Sequence, residues 1–529
     1  MKFKSCVKNI SQPSTLIILF LAIILVFIHI RLYQYAFDDA YIHFRVARNL
    51  FENGNPDFNV NESVKVSTSS GWTIFLAIIF GITHLFRVDN YFPFFICIAN
   101  AFMSLWGMLI YTKVLEKISN TPLSLSMKLL FQIPYLAILL PSSIGLMETP
   151  FALLVAGVGI YFLLQSKPSG FAFLGFSAYI RLELIILVVI ISLLMIIKKQ
   201  FPLHQILGFE ALGFTPLLIY DLYFFHTVIP HSIIAKSIVY SISWFQSAIY
   251  IMFSSLPSIP SNNIIFVLSN GAIFLSIVLI TTFTIWTKSE KNLWHILFSL
   301  WGFFIIIGYV IGHTLIFPWY IPLYSLPIII NCSLCSISTE SQKNIITKSI
   351  LPVLFTICAT SMLSVLYAST FDPSFFSLFE NNARVKVYLQ VGSILNEEYP
   401  NAKLLTSEIG SLGYSFKGEI LDAAGLASPE ALHFHPMKIP EQRLSGAIGA
   451  IPPEYVKENM PEIIVSYDSF DQALLHNDVI SEYNVILIPA YLPDDAAYSE
   501  NKTIWGSKYL RVFIRKDLPV SERILELGK

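Results

Sequence analysis

Apolar runs recur along the chain from Ser14 to Tyr367, divided by short polar stretches, and then stop. Runs of about 20 residues are what an α-helix needs to cross the hydrocarbon of a bilayer. The pattern predicts spans over 15–33, 92–111, 129–147, 151–164, 205–224, 264–286, 294–312, 315–334 and 350–367. The run 170–197 carries Arg181 and Glu183 in its middle, which predicts two short helices with a polar break between them. The run 74–86 has only about 13 apolar residues, which suits a helix lying against the bundle better than a crossing. The stretch 237–263, with Trp244, Phe245 and Tyr250, reads as an amphipathic piece on the surface.

Beyond Phe371 charged residues become frequent and long apolar runs end. Helical spacing over 380–399 is followed by short β-rich runs at 403–406, 462–466, 484–489 and 509–514. Pro452, Pro453 and Pro461 bracket a further helix. The expected organisation is a transmembrane domain over 1–370 and a soluble α/β domain over 371–529.

Composition agrees with a polytopic membrane protein. The 529 residues are 55% hydrophobic and only 13% charged, which excludes an ordinary soluble protein of this size. The net charge of -1 sums over two sides of a membrane and decides nothing. Lysine placement is more useful, because short cytoplasmic loops carry the excess of basic residues. If 74–86 does not cross, the loops with Lys113, Lys117 and Lys128, with Lys167, with Lys198 and Lys199, with Lys288 and Lys291, and with Lys343 and Lys348 all fall on one side. That gives about 11 crossings, a cytoplasmic N-terminus behind Lys2, Lys4 and Lys8, and a tail on the outer face. Cys332 and Cys335 form a CxxC, but inside an apolar run, where buried thiols are the expected reading.

On that topology several polar groups gather at the outer ends of helices. The loop 35–72 holds Asp38 and Asp39, then His43, Arg45, Arg48 and Asn49 at helical spacing. A carboxylate there can act as a general base toward a hydroxyl. The same two acids also suit an ordinary helix N-terminus. Glu148, the pair Arg181 and Glu183, the segment with His231 and Lys236, and the aromatic Trp319 and Tyr320 lie on the same side. Each has a structural alternative: a solvated helix end, an ion pair across a break, a lysine reaching for headgroups, or an aromatic belt.

The fuller string Asp38-Asp-Ala-Tyr-Ile-His-Phe-Arg45-Val-Ala-Arg-Asn49, with Gly54, Phe58-Asn59 and Thr68-Ser-Ser-Gly-Trp72, resembles the GT-C superfamily of integral-membrane glycosyltransferases. Within it, the string resembles the branch containing the terminal β-1,2-arabinofuranosyltransferases. Gly145-Leu-Met-Glu148-Thr-Pro150, Pro230–Lys236, Thr406-Ser-Glu408-Ile-Gly410, Gly413-Tyr414 and Leu421-Asp422-Ala-Ala-Gly carry the resemblance further along the chain. Departures fall at Thr68-Ser-Ser-Gly-Trp72, where the branch has Thr-Ser-Pro-Leu-Trp, at Pro230-His231-Ser232 in place of Pro-Asn-Thr, and at Arg181-Leu-Glu183 in place of Arg-Pro-Glu.

The resemblance implies a GT-C type fold of transmembrane helices with a soluble α/β tail, in a bacterial inner membrane with the tail periplasmic. It implies transfer, with inversion, from a polyprenyl-phosphate sugar to a cell-envelope glycan or lipid. Asp38 or Asp39 would be the base, and His43, Arg45, Glu148, Arg181, Glu183, His231, Lys236, Trp319 and Tyr320 would line the donor side. Glu408, Tyr414 and Asp422 would face the acceptor. No metal ligand set and no cofactor are expected, although a bare Asp-Asp is compatible with a divalent ion. Membrane lipids are expected partners and nucleic acid is not. Two rival readings are a transporter, for which midplane acids and internal repeats would speak, and a polysaccharide polymerase or ligase with a late main loop.

Overall fold

A computed structural model describes residues 13–254, 293–338, 345–371, 382–437, 449–492 and 503–528. The expected span 264–286, Lys2, Lys4, Lys8, Cys6, Lys288, Lys291 and Lys343 lie outside the described residues. The chain opens with the apolar helix α1 (Pro13–Leu32), followed by α2 (Asp38–Asn53) and α3 (Ser70–Leu85). Then come α4 (Phe92–Ser119), α5 (Leu125–Ile144), α6 (Thr149–Leu164), α7 (Gly170–Ile180), α8 (Ile185–Ile197) and α9 (Leu203–Phe225). Two short helices follow, α10 (His231–Val239) and α11 (Trp244–Ser254), and then α12 (Leu293–Ile311), α13 (Ile321–Ser338) and α14 (Ile345–Thr370).

Among the described residues, six helices are long and apolar enough to cross a membrane, and five shorter apolar ones accompany them, so the chain is an integral membrane protein. The polar break is real: α7 ends at Ile180, Arg181 is extended, and a single 3-10 turn over Leu182–Leu184 leads into α8. One boundary differs from the hydropathy pattern. The run 315–334 does not start a helix at 315; the chain turns through Pro318 and Tyr320, and α13 starts only at Ile321.

The tail is built from α15 (Arg384–Glu398), β1 (Leu404–Thr406), α16 (Ser411–Ser415), β2 (Ile420–Asp422), α17 (Pro453–Asn459), β3 (Ile463–Tyr467), α18 (Asp468–Leu475), β4 (Tyr483–Pro489), β5 (Tyr509–Arg515) and α19 (Glu522–Leu527). The strand order is β2-β1-β3-β5-β4, parallel from β2 through β3 and antiparallel beyond. Every strand that the β-rich runs predict is present; β2 is the addition, three buried residues too short for a period to show.

Strand alternation sends residues to opposite faces. Leu405, Leu421, Ile464 and Phe513 form a small core of their own with Tyr455 and Val456 of α17. Leu404, Ile463, Val465, Val512 and Ile514 belong instead to the core that runs without interruption into the membrane helices. The sheet domain is therefore packed onto the bundle through α15, α16 and α2. The expected architecture, a bundle of apolar membrane helices with a C-terminal α/β domain, is the one observed.

Candidate active site

The first loop is fixed at both ends. The backbone N–H of Phe37, the residue before α2, donates to the carbonyl of Gly145 at 3.2 Å. A Cβ at Gly145 would stand 2.1 Å from the Phe37 ring, so the approach requires glycine. Pro141 lies within the last turn of α5, and Leu146 turns with φ +60. The Asn100 amide of α4 donates to the carbonyls of Ser143 (3.3 Å) and Met147 (3.1 Å). That support sets Glu148 at the start of α6, directly behind α2.

Asp38 and Asp39 are the first two residues of α2, and consecutive helical positions point about 100° apart. The structure separates them accordingly. Asp38 is 5% exposed and turns to the sheet domain. Its carboxylate accepts from the Gly410 N–H at 2.9 Å, the Ser411 N–H at 2.7 Å and the Ser411 hydroxyl at 2.5 Å. Asp39 keeps a side chain 31% exposed and lies 3.1 Å from Lys236 Nζ of α10.

Two cavities meet at that pair. One, of about 380 Å³, is sunk among the helices and is lined by His43, Glu148, Arg181, Glu183 and Tyr320 as well as Asp39 and Lys236. The other, of about 1000 Å³, opens under the sheet domain against Arg384, Ser407, Glu408, Ser469 and Trp505. Asp39, Lys236, Tyr240, Phe317 and Trp319 border both.

In the helix-side cavity Arg181 is held between two carboxylates. It donates to Glu148 at 2.5 Å and to Glu183, and its guanidinium sits 4.9 Å from the Tyr320 ring. Tyr309 donates to Glu183 at 3.0 Å. Among the described residues Arg181 Nε and Glu148 Oε2 have no hydrogen-bond partner. His43 bonds Ser67 Oγ through Nδ1 at 2.9 Å, and its Nε2 stands 4.0 Å from Glu148. Burial holds the His43 imidazole below its ordinary range, which keeps it neutral near pH 7. Burial also opposes charge on Lys236, but Asp39 and Tyr320 together outweigh it and hold the ammonium above its usual range. Phe317 and Trp319 stack at 4.8 Å and face Lys236 at 5.2 and 5.9 Å.

Other expected site residues lie elsewhere. Arg45 lines neither cavity. Its guanidinium donates to the carbonyls of Phe58 (2.7 Å), Gly413 (2.5 Å), Phe416 (2.8 Å) and Gly418 (2.8 Å), and to Asn59 Oδ1 (3.3 Å). About two helix turns from Asp38 and Asp39, it points away from both cavities, because the first loop and the sheet domain offer it carbonyls. Tyr414 packs on Tyr41 and Phe44 with Arg48 4.9 Å from its ring, and burial pushes its hydroxyl up to about 12. Asp422 is buried at the end of β2, where it accepts from the N–H groups of Ala424 (2.9 Å) and Ala427 (2.8 Å). His231 starts α10 and borders neither cavity. Glu408 does face the sheet-side cavity, gripped by Arg384 through Nε at 3.0 Å and NH2 at 2.8 Å, with the Tyr388 hydroxyl at 3.1 Å.

Three contributors had no sequence signal or an unused one. Arg384 had none. Tyr240 looked like one aromatic among many. Asp221, an acid within an apolar span, was an unused signal. It is buried and takes Lys65 Nζ and the Ser70 hydroxyl at 2.5 Å each, which anchors the end of the first loop to α9.

A model described as a domain of unknown function (DUF8728) matches residues 377–513, within the tail. No curated protein matches. Among solved structures, ArnT from Cupriavidus metallidurans bound to undecaprenyl phosphate aligns with a TM-score of 0.54 and 9% identity, over 95% of this chain and 98% of that one. The apo state of the same protein aligns with a TM-score of 0.52 and 10% identity, over 94% and 97%. At these identities the likeness is one of fold, and along nearly its whole length this chain has the fold of ArnT.

Proposed function

We propose that this chain is a membrane glycosyltransferase that moves a sugar from a polyprenyl-phosphate donor to a hydroxyl of a cell-envelope glycan or lipid, with inversion. Transfer takes place at the outer face of a bacterial inner membrane, with residues 1–370 as the transferase body and 371–529 as a periplasmic, acceptor-side domain. The observation that carries this reading is the junction at Asp39 and Lys236, one exchangeable ion pair that borders both a helix-side and a sheet-side cavity. The undecaprenyl phosphate named with the ArnT structure supports the donor class. The first-loop resemblance makes an arabinofuranosyl donor the first to test.

In this mechanism the lipid phosphate enters the helix-side cavity and recruits Lys236 away from Asp39. Arg181, whose Nε is unspent, provides a second cation. Glu148 and Glu183 fix the plane of that guanidinium. Asp39, released from Lys236, accepts the proton of the acceptor hydroxyl as its oxygen attacks the anomeric carbon. The bond from that carbon to the phosphate oxygen breaks, and its electron pair leaves on the phosphate. Lys236 and Arg181 face the charge that develops there. A phosphate is already a good leaving group, so no general acid is needed. Asp38, spent on Gly410 and Ser411, orients the start of α2 and takes no proton.

The test offers polyprenyl-phosphate pentoses and hexoses, with envelope acceptors, to the purified protein in detergent. Transfer by the wild type and its loss in Asp39→Asn support the reading. No transfer from any donor, or full activity in Asp39→Asn, rejects it. Topology mapping at Lys117 and at the C-terminus checks the sidedness: a cytoplasmic C-terminus breaks it.

A further inference from the structure

We infer that the sheet-side cavity selects an uncharged sugar residue and turns away phosphorylated or acidic glycans. The inference rests on the reading above only in calling this cavity the acceptor side. Its charges are the first observation. Among the described residues lining it, the carboxylates are Asp38, Asp39 and Glu408, and the cations are Lys236 and Arg384. The carboxylates outnumber the cations, and both cations are committed: Lys236 to Asp39, and Arg384 to Glu408 and, at 3.1 Å, to Asn382. When a donor phosphate draws Lys236 into the neighbouring cavity, the balance here becomes more negative still. An anionic acceptor could win a cation here only by breaking one of these pairs, which would leave the Asp39 or Glu408 carboxylate bare beside it, so it meets repulsion.

The second observation is what the cavity offers instead. Ser407 lines the cavity and is 5% exposed, and its hydroxyl, shielded from solvent, has no partner among the described residues. The Ser469 hydroxyl is in the same position. A buried hydroxyl left unsatisfied is costly, and a ligand rich in hydroxyl groups removes that cost. Glu408, already oriented by Arg384 and Tyr388, accepts from such a ligand in a fixed direction. Trp505 is 43% exposed, with Arg384 4.2 Å from its ring and Phe470 edge-on at 5.6 Å. A rigid aromatic surface beside a few convergent hydroxyl partners is the equipment for a sugar ring, apolar on its C–H face and polar at its edge.

Saturation-transfer difference NMR on the full chain in detergent, with no donor present, tests this. The probes are neutral trisaccharides of arabinose, galactose and mannose, against the anionic trigalacturonic acid and mannose 6-phosphate. A neutral trisaccharide is expected to take up saturation, the charged probes much less. The signal should vanish in Trp505→Leu and in Ser407→Val. If Trp505→Leu melts early, Ser407→Val supplies the reading. Silence from every neutral probe, equal or stronger uptake by a charged one, or an unchanged signal in both variants overturns the inference. Because no donor is used, sugar binding without any transfer would reject the proposed function and leave this inference standing.

Discussion

At the seam between bundle and tail, Asp38 and Arg45 give their hydrogen-bonding capacity to backbone groups of the sheet domain. In the cavity one residue further along the same helix, Asp39 meets the flexible ammonium of Lys236. Backbone N–H and C=O partners cannot leave without unfolding something, so the seam charges are structural. A lysine side chain has rotatable bonds and can exchange one anion for another. The difference separates two roles that adjacent identical residues share on paper: a charge saturated by main chain holds the fold, and a charge held by a mobile side chain is available for chemistry.

The comparison breaks most directly at Asp39. Asp39→Asn should lower transfer by about 10²–10⁴-fold, the usual loss of a general base, with an unchanged melting curve. Lys236→Ala should lower kcat/KM by about 10²-fold as a lost phosphate-side donor, again without unfolding. At the seam the readout reverses. Arg45→Met strands the carbonyls of Phe58, Gly413, Phe416 and Gly418, and thermal or denaturant unfolding should show a loss of about 3 kcal/mol or more. Asp38→Asn places an amide N–H against the N–H groups of Gly410 and Ser411. It should lower stability by about 1–3 kcal/mol and slow transfer far less than Asp39→Asn. Equal effects of the two aspartate variants on transfer would erase the distinction.

The smallest effect sharpens the seam from the tail. Burial lifts the Asp422 carboxyl to about 7, against an ordinary carboxylate value near 3.8. The folded state then holds more protons than the unfolded one between those values, so this group's contribution to stability falls as pH rises from about 4 to 7. Asp422→Asn should flatten that part of the melting-temperature profile.

Much of this architecture was legible in the sequence. Hydropathy marked the six long apolar helices among the described residues, Arg181 and Glu183 marked the break between α7 and α8, and β-rich runs marked four of the five strands. Charge placement put Asp39, Glu148, Arg181, Glu183 and Lys236 on one side and suggested a shared cavity, but only the structure sets them around one. The division of labour between Asp38 and Asp39 was not legible, because Asp38 finds its partners 372 and 373 residues downstream. The same holds for Arg45, whose carbonyl acceptors leave no trace in any side-chain pattern, and for Arg384, whose importance depends on where Glu408 is folded to meet it. Asp221 was a missed opportunity: an acid inside an apolar helix announces a partner, and Lys65 was the candidate within the first loop.

The seam also limits how such a protein can be rebuilt. Gly410, Ser411, Gly413, Phe416 and Gly418 are in the tail, while the groups they hold, Asp38 and Arg45, are in the first loop. Grafting a foreign tail onto this bundle, to change which acceptor is served, would therefore replace half of a hydrogen-bonded joint. A graft that keeps the joint has to carry the segment from Asp38 to Asn59 along with the tail, so the transplantable unit is discontinuous in sequence.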